Sequence, residues 1–291
     1  MNAIVGASAV VIPIKKPLAG PKVLLMGPSG TGKTHALGTL VDWAEKNKRE
    51  VFVLFTEKGE ETLLGYWKDR SLPVPSCLHI QSLSTKPLGL KDLMAAADTV
   101  GKLSYESITK MVDPNRGANN AFYKILGACA DFTDSTTGVK YGPVDSWTPD
   151  RIFINDSLSE TANACMKMVI GNKPTASQPD YGVAQNNLMN FLRLLTQGLE
   201  CTFVMTAHID RQTEFVSGTS KIVVKAIGQA MSADIPPLFS DVILTVREGD
   251  KFYWDTAAYG ADTKTRSLGY RSKIDPNFAA ILDVWLKRSA A

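Results

Sequence analysis

The sequence has little with which to build a metal cage or a covalent cross-link. Its four cysteines, Cys77, Cys129, Cys165 and Cys201, are widely spaced and form no CxxC pair, and its histidines are only three, His35, His79 and His208. That excludes a disulfide framework and makes a zinc site an unsuitable reading; the thiols read as reduced. Hydrophobic residues make up 44% of the chain, yet no run of 18 or more apolar residues occurs, so no membrane partner is expected. The opening stretch MNAIVGASAVVIPIKKPLAG carries Lys15 and Lys16 after its apolar part, the reverse of a secretory signal, and a cytoplasmic location is the expectation. Val10 to Ile14 reads as a short edge strand or an arm docked on a neighbour. The formal net charge is only +3, too small to single out a nucleic-acid partner, although it leaves room for a local basic groove. Internal repeats and low-complexity tracts are also lacking.

What the chain does have is a series of apolar runs of strand length: VLLM (23–26), VFVLF (51–55), RIFIN (151–155), TFVMT (202–206) and DVILTV (241–246). The first four lack polar alternation, as strands buried on both faces of a parallel sheet do. FYWDT (252–256) follows as a hairpin partner. Helical patterns lie between them, over Lys33 to Lys48 and over Tyr181 to Leu199, where Leu188, Phe191, Leu192 and Leu195 recur at helical spacing. This alternation predicts an α/β fold, a mostly parallel sheet with helices on both faces. The roughly 95 residues between Phe55 and Arg151 are too long for a bare loop. With Leu90 to Leu103 and Asn119 to Asp131 reading as helices, they predict a helical and loop insertion at about 71–150. The expected division is therefore an N-terminal arm (1–20), one main domain (21–285) carrying that insertion, and a short tail (286–291).

The chemistry starts with GPSGTGKT, residues 27–34, which follows a predicted strand, opens a predicted helix and fits G-x-x-x-x-G-K-[ST]. Gly27, Gly30 and Gly32 let the backbone turn tightly and aim its N–H groups inward; Pro28, Ser29, Thr31 and His35 complete the cradle. The helix N-terminus adds partial positive charge, which favours phosphate. Lys33 reaches the β- and γ-phosphates of ATP, and Thr34 places its hydroxyl on Mg²⁺. Asp156 ends the RIFIND strand, at the edge where ligands of such sheets bind, and is the second metal residue. Ser157 follows it, so the general base must come from elsewhere. Glu57, two residues beyond the second strand, is placed to polarise water, with Glu60 and Glu61 as neighbours that could be mistaken for it. His208, just past TFVMTA, faces the same edge and could sense the γ-phosphate; a lone histidine can equally be structural. Lys264 and Arg266, two apart on a predicted strand, share one face and could act in trans on a neighbour's nucleotide, or simply protect a solvated edge.

In this order the pieces resemble the RecA-like P-loop ATPase superfamily, in particular phage-type AAA/RecA–RadA-like single-strand annealing recombinases. The resemblance spans roughly 20–70 and 150–285. It implies a RecA-like core that holds ATP between the subunits of a ring or filament and acts on single-stranded DNA in recombination or replication. It gives Glu57, in FTEKG, the catalytic glutamate's place; His208, in TAH, the sensor's; and Lys264 and Arg266 the family's K-x-R. Asp241, in PPLFSDVILTV, matches the acid before a late core strand. The candidate DNA surface is Arg211, Lys221 and Lys225 with Lys167 and Lys173, where few aromatics are available for base stacking. Two other readings of the same residues stand beside it. One is a nucleotide-dependent assembly switch with little hydrolysis; the other is a small-molecule kinase.

Overall fold

In the computed structural model, residues 18–83, 89–110, 120–213 and 220–290 are described. The chain runs β1 (Lys22–Met26), α1 (Lys33–Lys46), β2 (Glu50–Phe55), α2 (Glu60–Lys68), β3 (Leu78–Ser82), α3 (Leu90–Gly101), α4 (Tyr105–Lys110) and α5 (Ala121–Ala130). It continues with β4 (Arg151–Asp156), α6 (Leu158–Ile170), α7 (Gln178–Arg193), β5 (Thr202–Ala207), β6 (Ile209–Thr213), β7 (Ser220–Val224), α8 (Gly228–Asp234), β8 (Asp241–Glu248), β9 (Lys251–Asp255) and α9 (Ala279–Ala290).

One seven-stranded sheet, in the order β3-β2-β4-β5-β1-β8-β9, organises the chain. Every pairing in it is parallel except β8 with β9, an antiparallel hairpin. The uninterrupted apolar runs have a physical reason. Side chains alternate across a strand, so Leu24 and Met26 enter one core while Val23 and Leu25 enter another on the opposite face. The first core is closed by α5, α6 and α7, through residues such as Phe122, Cys165 and Leu188. The second is closed by α1, α2 and α9, through Leu37, Leu63 and Leu282. A strand buried on both faces has no position for a polar residue except where it meets a ligand or a hydrogen-bond partner.

The predicted strands and the two core helices are present, and the four cysteines are free. Several boundaries differ. The span 71–150 contains β3, the edge strand of the main sheet, so the insertion begins only after it. LHIQS buries only Ile80, and a half-exposed edge strand carries no continuous apolar run. The segment after α5 then folds back onto this edge. Phe132, Tyr141 and Trp147 surround Phe52, and Ser135 N–H donates to the Ile80 carbonyl. The 286–291 tail is corrected too, since residues to 290 are helical. Helix α9 buries Ile281, Leu282 and Trp285, and Trp43 Nε1 donates to its Asp283. Lys264 and Arg266 lie in no strand; Lys264 makes a single antiparallel bridge with Val242. The Val10 to Ile14 expectation falls outside the described residues.

If α9 is part of the core, Leu282→Ala should cost about 2–5 kcal/mol in chemical denaturation, as for other buried leucines. A change within experimental error would remove α9 from the core.

Candidate nucleotide site

Parallel order brings the carboxyl ends of β1, β2, β4 and β5 to one edge, and the loops leaving them converge there. β5 lies between β1 and β4, so the loop after β1 and the acid ending β4 are separated by one strand. The loop is held open by backbone that other residues adopt poorly: Gly30 and Gly32 have φ of 73° and 79°. Gly27 N–H donates to the Ala207 carbonyl, and Thr31 Oγ1 donates to the Pro28 carbonyl and shares a bond with Thr245 Oγ1. Helix α1 starts without a side-chain cap, so its first N–H groups face the cradle.

Lys33 is buried, with Nζ donating to the carbonyls of Gly27 (2.9 Å) and Pro28 (2.7 Å). Burial lowers its pKa, and the nearby Asp156 and Glu57 carboxylates work against that shift. Asp156 is 1% exposed. It accepts from Thr34 Oγ1 at 2.8 Å on one oxygen and from Thr206 Oγ1 on the other. Burial raises its pKa; the Thr206 and Thr34 hydroxyls oppose the rise, Glu57 adds to it and Lys33 counters it.

These residues fit Mg²⁺ and a nucleotide triphosphate. Thr34 and Asp156 place two oxygen donors side by side at the end of the cradle. Among the described residues no group of three or more His, Cys, Asp or Glu could hold a metal. An ion bound through two protein oxygens would be completed by phosphate and water.

Glu57 and His208, 151 residues apart in sequence, meet at this edge: Glu57 Oε2 lies 3.7 Å from His208 Nε2, each about 30% exposed. Both line a cleft of about 450 Å³ with Ser159, Asn163, Tyr181 and Lys225. Ser159 Oγ accepts from His208 N–H, and Thr56 Oγ1 donates to the Ser157 carbonyl while accepting from Ser157 N–H. The ends of β2, β4 and β5 are thus tied laterally.

Lys264 and Arg266 are not part of this assembly. Asp241, fully buried, pairs with Val23 at the start of β1, whereas the phosphate loop leaves the other end of that strand. The Asp241 carboxylate accepts from Thr265 Oγ1, Arg266 N–H and Ser267 N–H, which fixes the K-x-R segment at the far edge of the sheet. Of the basic residues considered for DNA, Lys221 is paired with Asp262 and Lys173 with Asp180, whereas Arg211, Lys225 and Lys167 are exposed. His35, at the third position of α1, stands edge-on to Tyr66 at 5.1 Å. Thr206 was missed by sequence reasoning; its signal is a hydroxyl in a strand buried on both faces.

A P-loop after β1, an acid at the end of β4 and one strand between them define a RecA-like P-loop ATPase core. A family profile described as an AAA domain matches residues 19–270, and the chain belongs to that family. The solved structure of the RadB recombinase is similar at 12% identity, with 84% of each chain covered and a TM-score of 0.38. No curated protein matches the chain.

A raised carboxyl pKa means that Asp156 contributes to stability below its unfolded value, and that this contribution is lost as pH rises through the folded value. Near pH 7 the buried charge is a cost. Asp156→Asn should therefore raise the melting midpoint of the nucleotide-free protein while abolishing the extra stabilisation by ATP with Mg²⁺. An undiminished ligand-induced shift in the variant would remove Asp156 from the metal site.

Proposed function

We propose that the protein binds and hydrolyses Mg·ATP as an oligomer, acting on single-stranded DNA in recombination or replication of the phage type. The observation that supports this best is the meeting of Glu57 and His208 beside the Thr34–Asp156 pair and the phosphate loop. In this reading Lys33 and the loop amides hold the phosphates, and Thr34 and Asp156 hold Mg²⁺, which when bound neutralises phosphate charge. Glu57 orients and polarises the attacking water, and His208, in contact with Glu57, responds to the γ-phosphate.

The position of Lys264 and Arg266 supports oligomeric action. They sit at the end of the sheet opposite this chain's own phosphate loop, which supports a role on the nucleotide of another subunit. For DNA, the β6–β7 hairpin carries the exposed Arg211 and is joined to the site by a bond from Lys225 N–H to the His208 carbonyl.

ATP hydrolysis should rise on addition of single-stranded DNA, with Lys33→Ala as the blank. Glu57→Gln should retain ATP binding and lose about a hundredfold or more of turnover, the range of a missing general base. Near wild-type turnover in that variant would exclude Glu57 as the base, and DNA-indifferent turnover would favour an assembly switch. Mixing inactive Glu57→Gln with inactive Arg266→Ala should restore part of the activity, because some interfaces then combine an intact base with an intact finger. No recovery would remove Arg266 from the trans role.

A further inference from the structure

Tyr259 is 96% exposed, more than any other large apolar or aromatic side chain among the described residues. A ring so fully in water adds nothing to either core. The backbone beneath it is nevertheless fixed. Ala261 N–H donates to the Ala258 carbonyl across a four-residue turn, with Tyr259 second and Gly260 third. Gly260 has a φ of 74°, the left-handed backbone that a type II turn requires at that place. Tyr259 therefore stands at the apex of a tight turn, on backbone with little freedom to fold the ring back onto the surface.

The turn is fastened to the β6–β7 hairpin, about 35 residues earlier in the chain. Ile222 N–H of β7 donates to the Gly260 carbonyl at 2.6 Å, and Ile222 bridges Ala261. A Cβ added to Gly260 would lie 3.1 Å from the Ser220 carbonyl oxygen, so the two backbones are in close contact. Lys221 and Asp262 close the seam with an ion pair at 2.8 Å. On the other side of β7, Ile222 pairs with Arg211 of β6. Arg211, Ile222 and the turn thus form one row across three chain segments, with Arg211 and the turn about 10 Å apart at ordinary strand spacing. Strand alternation puts Asp210 and Lys221 on the opposite face from Arg211, and no acid shares its face among the described residues of β6 and β7. Those residues include no aromatic ring either; the turn supplies the one that the hairpin lacks.

We propose that Tyr259 is a stacking platform for a base of single-stranded DNA, with the exposed Arg211 taking a phosphate of the neighbouring nucleotide. The proposal rests on the single-stranded DNA reading above and adds a contact from outside the basic residues considered there. Bases stack on an aromatic face whatever their sequence, and a cation nearby holds the backbone. A ring presented by a fixed turn loses little freedom when a base settles on it.

The test is fluorescence anisotropy of a labelled oligothymidylate with the full chain, in Mg·ATP and over a series of salt concentrations. Tyr259→Ala should weaken binding about tenfold at every salt concentration, the scale of one lost base–aromatic stack, and Tyr259→Phe should bind as the wild type does. Arg211→Ala should also weaken binding, and should reduce the slope of log affinity against log salt by about 0.7, the mark of one lost phosphate contact on a single strand. Unchanged affinity in Tyr259→Ala would overturn the proposal. An equal loss in Tyr259→Phe would also overturn it, since the hydroxyl rather than the ring would then make the contact. A change in the sedimentation of DNA-free Tyr259→Ala would make the ring a contact between copies of the chain instead. Wild-type protein that hydrolyses ATP but binds no oligonucleotide would overturn the DNA reading itself and this proposal with it.

Discussion

The arrangement depends on one buried carboxylate. Asp156 is almost wholly withdrawn from water at the end of a strand whose centre, Ile152 to Ile154, is apolar, and an isolated charge in such a place is strongly disfavoured. Two hydroxyls from different elements, Thr34 of α1 and Thr206 of β5, each bond one of its oxygens. Lys33 adds opposite charge nearby. The group that makes the site electrostatically costly is thus also the one that draws β4, β5 and the phosphate loop together. A divalent cation at the Thr34–Asp156 pair would relieve that cost, which makes the core poised for Mg²⁺ and less comfortable without it.

This tension explains where polar residues interrupt the apolar strands. Thr206 and Thr245 are buried hydroxyls of β5 and β8, and both lie at the phosphate-loop end of the sheet, Thr206 on Asp156 and Thr245 on Thr31. At the opposite end the buried polar groups are held by the protein itself, as Lys22 Nζ is by the Gly20 and Cys201 carbonyls. Asp241 is the counterpart at the opposite edge, a buried acid whose partners are backbone N–H groups and a threonine of the K-x-R segment. One end of the sheet gathers the phosphate loop and its acid, and the other holds the K-x-R segment through Asp241.

Much of this was legible in the sequence. Runs such as VFVLF are readable because burial on both faces removes alternation, and the glycine pattern with its lysine has few other meanings. Glu57 and His208 were readable as residues placed just past strand ends, but their contact was not, since it depends on strand order. LHIQS failed as a strand signal because on this edge strand only Ile80 is buried and the other four residues are partly covered. The last helix was not foreseen, and a domain boundary was placed inside it between Trp285 and Leu286, although Ile281, Leu282 and Trp285 show helical spacing. Lys264 and Arg266 were expected on a strand; a single bridge beside Asp241 shapes that segment instead, and a partner more than twenty residues away leaves no local pattern.

Only His208 separates β5, which ends at Ala207, from β6, which begins at Ile209. There is no loop to absorb motion, and the His208 carbonyl is also held by Lys225 N–H across the hairpin base. The base of the hairpin is therefore set by the main sheet at one residue, while β7 is fixed a second time by its bridge from Ile222 to Ala261 and by the Lys221–Asp262 ion pair. The backbone of His208, beside Glu57, is shared between the central sheet and a surface hairpin with no spacer between the two.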